Sequence, residues 1–154
     1  MDELICISPV DGREYARRAV MSAAEVERAA AQAREAQRAW AHTPLAERGA
    51  VMLRFLAAME ALNPEIVPEL AWQMGRPVRY GGELRSLAER VKAMVEIAED
   101  ALAPVELPAG DGIRRLVTRV PAGIVLVIAP WNYPYLTAAN TIVAALLAGN
   151  SVLL

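Results

Sequence analysis

A chain of 154 residues can bury one ordinary hydrophobic core and has the length of a single domain. Its formal net charge of −2 excludes a global electrostatic attraction to nucleic acid or to an anionic membrane surface. The single cysteine, Cys6, excludes an internal disulfide and is typical of a reducing compartment. Because the N-terminus is acidic and lacks the features of a signal peptide, we expect a cytoplasmic protein.

The charged side chains are confined to the first part of the chain: the last is Arg119, and residues 120–154 carry none. A transmembrane helix needs about 20 apolar residues, so this segment is long enough to contain one. Prolines and asparagines interrupt it, namely Pro121, Pro130, Pro134, Asn132, Asn140 and Asn150. Each asparagine would need a partner in lipid, so we predict two buried strands and a buried helix of an α/β domain instead.

Amphipathic helices are predicted over most of the first hundred residues, after a strand-like segment at Leu4–Ile7. The tetrapeptide Ser22-Ala23-Ala24-Glu25 is a capping box and begins the first helix. Thr43-Pro44 and Asn63-Pro64 each place an N-cap residue before a proline, which predicts the starts of a second and a third helix. The third ends near Gly75, and the fourth, Gly82–Leu102, has the most regular apolar period.

The period changes after the fourth helix. We predict a connector rich in proline and glycine at 104–112, followed by a partly exposed strand at 113–120 and a buried strand at 124–129. A helix at 135–148, with Gly149 as its C-cap, and a further strand at 151–154 complete the chain. Strand, helix and strand in this order form one βαβ unit, whose right-handed crossover implies a parallel sheet.

The pentapeptide Pro130-Trp131-Asn132-Tyr133-Pro134 follows the predicted buried strand and bears the main candidate residue. Two prolines stop the strand and make the turn rigid. Asn132 is thereby presented at the end of a parallel strand, where ligands of α/β folds bind. The residues alone leave two interpretations open: Asn132 caps the turn, or its amide polarises a ligand.

The uncharged third of the chain resembles the aldehyde dehydrogenase superfamily. The resemblance rests on Pro121-x-Gly123, on Ile128-x-Pro130-Trp131-Asn132-Tyr133-Pro134 and on Ala148-Gly149-Asn150-x-Val152, with their spacing. Upstream, Gln73-Met74-Gly75-Arg76-Pro77 resembles the Gly-Lys/Arg-Pro turn after the third helix of that family. The resemblance implies an α/β fold in which N-terminal helices precede the first βαβ unit of a Rossmann-like NAD(P)-binding domain, here incomplete.

The resemblance also implies a division of the chain. Residues 1–112 would be the helical N-terminal part of the cofactor-binding domain, 113–121 a strand of the oligomerisation arm, and 122–154 the start of the Rossmann-like sheet. In this family the arm pairs with a neighbouring subunit, which implies a homodimer or homotetramer for the full-length protein. Arg114, Arg115 and Arg119 would then lie near that interface.

Members of the family oxidise an aldehyde to a carboxylic acid with NAD or NADP, through a thiohemiacetal and a thioester of a cysteine. The resemblance implies that the side-chain NH₂ of Asn132 donates a hydrogen bond to the substrate oxyanion. Four residues before it would line the dinucleotide site: Ile128, Ala129, Pro130 and Trp131. No metal site is predicted, since the one histidine, His42, has no second ligand nearby in the sequence.

Two features depart from the family. Leu126 replaces a residue that is small in many members, and Cys6 matches no nucleophile motif. The nucleophilic cysteine, the general-base glutamate and the cofactor-binding lysine of the family all lie beyond the position of Leu154. We therefore expect the 154 residues alone to be inactive. The alternative is a non-enzymatic interaction or oligomerisation module.

Overall fold

The computed structural model of the chain describes residues 2–108, 110 and 112–154. These residues form four α-helices and three two-stranded sheets, with one short 3₁₀ turn at Val78–Tyr80. In chain order the elements are β1 (Glu3–Ile7), β2 (Glu14–Ala19), α1 (Ala23–His42), α2 (Leu45–Met74), α3 (Leu84–Leu102), β3 (Val105–Leu107), β4 (Arg115–Val117), β5 (Ile124–Leu126), α4 (Pro134–Leu147) and β6 (Ser151–Leu153).

The first helix begins as the sequence predicts. Ser22 is the N-cap of α1, and its Oγ accepts a hydrogen bond of 3.4 Å from the backbone N–H of Glu25. The Glu25 carboxylate accepts a hydrogen bond of 2.7 Å from the backbone N–H of Ser22. The predicted capping box is confirmed, and it gives partners to backbone groups that a helix start otherwise leaves unpaired.

The predicted second and third helices are one continuous helix. α2 has 30 residues and passes through Asn63-Pro64 without a break, so the predicted boundary there is wrong. A proline inside a helix costs about 3 kcal/mol through the lost hydrogen bond and the ring clash. Burying one leucine side chain contributes about 1.5–3 kcal/mol. α2 contains two such prolines, Pro64 and Pro68. Met52 and Leu56 before them and Leu70 after them are buried, so packing along the whole helix offsets the cost.

The residues that join α1 to α2 differ from the prediction. Thr43 is the C-cap of α1, and its backbone N–H donates to the carbonyl of Trp40 at 3.1 Å. Pro44 has extended backbone with ψ of 144° and is itself the N-cap of α2, without a capping side chain. The predicted N-cap role of Thr43 is therefore wrong, because proline stands one position earlier than the first helical residue.

An antiparallel hairpin, β1–β2, precedes the helices. The predicted strand-like segment is confirmed as β1. β2 differs from the prediction, because the apolar pattern of the first hundred residues indicated helices. The signal was the dipeptide Asp11-Gly12: the Asp11 carboxylate accepts from the Arg13 N–H at 3.1 Å, and Gly12 has a φ of 74°. Gly75 ends α2 as predicted with a φ of 76°, and a Cβ there would come within 3.2 Å of the Pro9 ring. The hairpin turn therefore packs on the end of α2.

The hydrophobic core lies between α2, α3 and α4. Its large buried side chains come from all three helices: Met52, Leu56, Leu87, Val91, Val143 and Leu147. The predicted fourth helix is confirmed as α3, which buries Leu87, Val91 and Ala98 and exposes Glu96 and Glu99. Through Val143, the core anchors the helix that follows the candidate turn.

The predicted connector at 104–112 contains a strand. β3 pairs antiparallel with β4, and Val105 lies opposite Val117. The description of this segment as a connector alone is wrong because the chain after α3 forms a hairpin with the strand predicted at 113–120, which is shorter than expected. Ala109 and Asp111 of the connector lie outside the described residues.

β5 and β6 pair in parallel, and α4 connects them, so the predicted βαβ unit is confirmed. The predicted burial of the strand at 124–129 is wrong in part. Val127 is buried, but Leu126 is 66% exposed and Ile128 is 86% exposed. Because successive side chains of a strand point to opposite faces, Leu126 and Ile128 share the face that the described residues leave uncovered.

Across the described parts of the chain, none of the helices is both long enough and apolar enough to cross a bilayer.

The capping box predicts a dependence of stability on pH. Hydrogen bonds from Ser22 hold the pKa of Glu25 below its ordinary value of 4.5. A depressed carboxyl pKa adds stability above the unfolded-state pKa, and this stability is lost as the pH falls through the folded-state value. We expect Glu25→Ala to lower the free energy of unfolding at pH 7 and this loss to shrink below pH 4.5. Urea unfolding across this range measures it, with Glu27→Ala as the control; a loss that is constant with pH would contradict the prediction.

Candidate functional site

The candidate site is the turn between β5 and α4. Asn132 lies in this turn and is exposed. Pro134 begins α4, and Tyr133 is the N-cap, but its side chain makes no capping hydrogen bond. The first turn of α4 also contains no acidic residue. The backbone N–H groups at this helix start therefore need acceptors from another part of the chain or from solvent.

Glu83, the residue before α3, supplies such an acceptor. Its Oε2 accepts a hydrogen bond of 2.7 Å from the backbone N–H of Leu136, in the first turn of α4. Glu83 is buried, and its carboxylate lies where the helix dipole favours negative charge. No sequence pattern indicates this role, because Glu83 and Leu136 are 53 positions apart.

Arg76 joins this carboxylate to the candidate turn. Its Nη1 donates to Oε1 of Glu83 at 3.0 Å, and its Nη2 donates to the backbone carbonyl of Asn132 at 2.7 Å. The guanidinium also lies over the Tyr133 ring, 4.8 Å from its centroid, in a cation–π arrangement. The Gly-Arg-Pro turn pointed to Arg76 in the sequence, but no function was assigned to it. The structure places Arg76 in direct contact with the backbone of the candidate residue.

The opposite end of α4 is held by donors from α1 and α2. The helix ends in a Schellman motif at Gly149, which has a φ of 82°, so the helix end that the sequence predicts at this glycine is confirmed. Three side chains donate to the last carbonyls: Trp40 Nε1 to Leu146 at 2.9 Å, Arg48 Nε to Leu147 at 3.0 Å, and Gln37 Nε2 to Gly149 at 3.0 Å. α4 is thus fixed at both ends by earlier parts of the chain.

Asn150 ties the two strands to the helix between them. Its Oδ1 accepts from the backbone N–H of Gly123 at 2.9 Å, just before β5. Its Nδ2 donates to the carbonyl of Ala145 in α4 at 3.1 Å. Asn150 is buried, and both ends of its amide are paired. The motif residue Asn150 therefore fixes the βαβ unit from within.

The four residues predicted to line a dinucleotide site lie in the segment between β5 and the turn. Ile128, Ala129 and Trp131 are exposed, and Pro130 is half-buried. They adjoin the carboxyl end of β5, the edge of a parallel sheet at which ligands of α/β folds bind. The structure therefore brings these residues and Asn132 to one edge, as one continuous surface segment.

The described residues enclose two sizeable cavities at the start of α4. One of about 380 Å³ is lined by Arg76, Tyr80, Glu83, Ser86, Tyr133 and Leu136. The other, of about 350 Å³, lies between α2 and α4 and is mostly apolar, with Glu69 and Tyr135 in its wall. Burial, followed by the charges of Glu69 and Glu83, raises the pKa of Tyr135 above its ordinary value of 10.0. Tyr135 therefore stays neutral at physiological pH.

Cys6 lies away from the candidate turn in the chain, on β1. Its thiol is partly buried, and Sγ is 3.8 Å from the backbone carbonyl of Gln73 at the end of α2. His42 is the last residue of α1, and its Nδ1 donates to the carbonyl of Arg38 at 2.7 Å. Over the residues that are described, no three His, Cys, Asp or Glu side chains come together in a way that could hold a metal ion.

A sequence model of the aldehyde dehydrogenase family matches residues 2–154. The chain therefore belongs to the aldehyde dehydrogenase family, and the resemblance seen in its motifs is confirmed.

Known proteins agree with this assignment. N-succinylglutamate 5-semialdehyde dehydrogenase 1 of Caulobacter vibrioides is 37% identical over 150 residues, which are 97% of this chain and 32% of that protein. The structure of P. syringae indole-3-acetaldehyde dehydrogenase in complex with NAD⁺ is 34% identical, with a TM-score of 0.88, over 98% of this chain and 31% of that one. The structure of NADP-dependent glyceraldehyde-3-phosphate dehydrogenase from Bacillus halodurans, complexed with NADP, is 28% identical, with a TM-score of 0.88, over 98% of this chain and 33% of that one.

The chain thus spans about 32% of the length of its Caulobacter relative, and its α/β fold is part of the aldehyde dehydrogenase fold.

The paired amide of Asn150 predicts a stability difference between two identical substitutions. Asn150→Ala leaves the Gly123 N–H without its acceptor, so we expect a loss of about 1–3 kcal/mol in the free energy of unfolding. Asn132→Ala removes an exposed amide and is the matched control, with a change within about 0.5 kcal/mol. Urea unfolding of both variants measures the difference, and equal losses would refute it.

Proposed function

We propose that these residues supply the oxyanion donor and one wall of the dinucleotide site in an NAD(P)-dependent aldehyde dehydrogenase. The observation that carries the proposal is the position of Asn132 in a chain of this family. Its side chain is exposed at the carboxyl edge of the parallel strands, while its backbone carbonyl is held by Arg76. The amide is thus free to meet a ligand on a backbone that is fixed.

The proposed chemistry of Asn132 follows from its functional group. Addition of a cysteine thiolate to an aldehyde carbonyl turns the carbonyl oxygen into an oxyanion. The Asn132 NH₂ donates a hydrogen bond to this oxygen and stabilises the charge as it develops. A primary amide is neutral and carries two donor hydrogens, so this donor does not depend on a protonation state near neutral pH.

The proposed cofactor wall consists of Ile128, Ala129, Pro130 and Trp131. The exposed apolar side chains of Ile128 and Trp131 fit the planar rings of a dinucleotide, which pack on apolar surface when they leave water. A dinucleotide held against these residues would supply the hydride acceptor for the oxidation. NAD and NADP are both candidates, because the P. syringae relative was solved with NAD⁺ and the B. halodurans relative with NADP.

We also propose that the β3–β4 hairpin is the oligomerisation arm of a homodimer or homotetramer. Support comes from its exposed apolar side chains, which include Val105, Leu107, Leu116 and Val117. Arg114 is paired with Glu106 on the same hairpin and would lie near the interface. The division of the chain at residues 112 and 121 and the cytoplasmic location stay predictions.

The proposed role of Asn132 predicts a loss of turnover. Loss of one oxyanion-hole donor costs about 10²–10³ in kcat. We therefore expect Asn132→Ala in the natural polypeptide that contains these residues to lower the kcat for aldehyde-dependent NAD(P)H formation by that factor. Gln32→Ala removes an exposed amide of α1 and is the control. A kcat within about threefold of the unaltered protein would contradict this role.

The second prediction concerns the 154 residues by themselves. We expect no aldehyde oxidation, because their single cysteine, Cys6, lies on the β1–β2 hairpin and not at the β5–α4 turn. The measurement is NAD(P)H formation by the purified 154-residue polypeptide with a panel of aldehydes. Any turnover that Cys6→Ser abolishes would overturn the prediction and assign the nucleophile to Cys6.

A further inference from the structure

The ion pair between Arg76 and Glu83 contacts the candidate turn at three points around Asn132. Arg76 donates to the backbone carbonyl of Asn132 and covers the ring of Tyr133. Glu83 accepts from the backbone N–H of Leu136. The peptide group after Asn132 and the first turn of α4 are therefore fixed by one buried pair from the α2–α3 connection.

Because the ion pair is buried, its stability depends on how completely its charged groups are hydrogen-bonded. The side chain of Arg76 is 12% exposed and that of Glu83 is 2% exposed. Two charges removed from water destabilise a protein unless each is paired and hydrogen-bonded. Both carboxylate oxygens of Glu83 are occupied, one by Arg76 and one by Leu136, and two guanidinium nitrogens of Arg76 have acceptors. The pair is satisfied only while the turn keeps its present position.

Among the described residues, Arg76 is the only one whose side chain donates a hydrogen bond to the backbone of Asn132. The N-terminal side is held just after β5, where the Val127 N–H donates to the Leu153 carbonyl of β6 at 2.8 Å. Between these fixed points, the orientation of the Asn132 amide depends on the carbonyl that Arg76 holds. The donor N–H of an oxyanion hole must lie within hydrogen-bond distance of the position that the oxyanion will occupy.

We propose that Arg76 and Glu83 are positioning residues for the oxyanion donor Asn132, an inference that rests on the function proposed above. Arg76 sets the peptide plane after Asn132, and Glu83 holds Arg76 and the start of α4 together. Neither residue needs to touch the substrate. The Arg76 guanidinium is required for its two-pronged geometry, which the point charge of a lysine does not reproduce.

The test uses Glu83→Gln and Arg76→Lys in the natural polypeptide. A misplacement of about 1 Å in a catalytic group can cost about 10²-fold in rate. We expect each variant to lower kcat by about 10- to 100-fold, with a KM change of less than about threefold, because the loss is in the transition state. The matched control is Glu89→Gln, which breaks the exposed Arg85–Glu89 pair on α3 and should leave kcat unchanged.

A double-mutant cycle separates positioning from a general loss of structure. If Glu83 acts through Asn132, Glu83→Gln should change kcat by less than about threefold in an Asn132→Ala background. A loss that is the same in both backgrounds would overturn the positioning role. If Asn132→Ala alone leaves kcat unchanged, the proposed function fails and the positioning role fails with it. Full kcat in both Glu83→Gln and Arg76→Lys, beside a lowered kcat in Asn132→Ala, would overturn the positioning role alone.

A second readout does not depend on turnover. Loss of the Glu83 carboxylate should speed hydrogen exchange of the Leu136 amide by at least about tenfold, while the core amide of Val143 stays protected. Arg76→Lys should retain the protection of Leu136 and still lower kcat, because Glu83 remains an acceptor. Full kcat in Arg76→Lys would overturn the proposed need for a two-pronged donor.

Discussion

The contact between the Glu83 carboxylate and the start of α4 is the interaction on which the candidate site depends. α4 contains no charged residue, and its own N-cap side chain makes no capping hydrogen bond. A negative group at a helix N-terminus is favoured by the exposed N–H groups and by the helix dipole. The chain supplies it from the residue before α3, and Arg76 neutralises the buried charge. Because Arg76 also holds the Asn132 carbonyl, one ion pair serves both the helix and the turn.

The other end of α4 shows the complementary arrangement. Its last carbonyls accept hydrogen bonds from Gln37, Trp40 and Arg48, which belong to α1 and α2. An acceptor at the N-terminus and donors at the C-terminus match the polarity of a helix. An uncharged helix is thus positioned by polar side chains of earlier elements, and Val143 adds the apolar anchor. Through these contacts, more than a hundred residues of mostly helical chain determine where the five-residue turn at 130–134 lies.

Local signals predicted those features of the fold that local geometry decides. The capping box at Ser22 and the helix ends at Gly75 and Gly149 are each set by groups close together in sequence. The βαβ unit followed from the order of its elements along the chain. The same kind of signal failed at Asn63-Pro64, where burial along α2 outweighs the cost of proline. It also failed for Leu126 and Ile128, since an apolar run indicates a strand but not which of its faces is covered.

The sequence by itself determined the family, the candidate residue Asn132 and the segment 128–131 beside it, because these are carried by contiguous motifs with fixed spacing. Only the tertiary structure decided what holds Asn132. Arg76 lies 56 positions before it, and Glu83 lies 53 positions before Leu136. No local period connects such residues. They meet because α2, α3 and α4 share one core. Since the ion pair is buried, leaving either of its charges without the other would cost too much free energy.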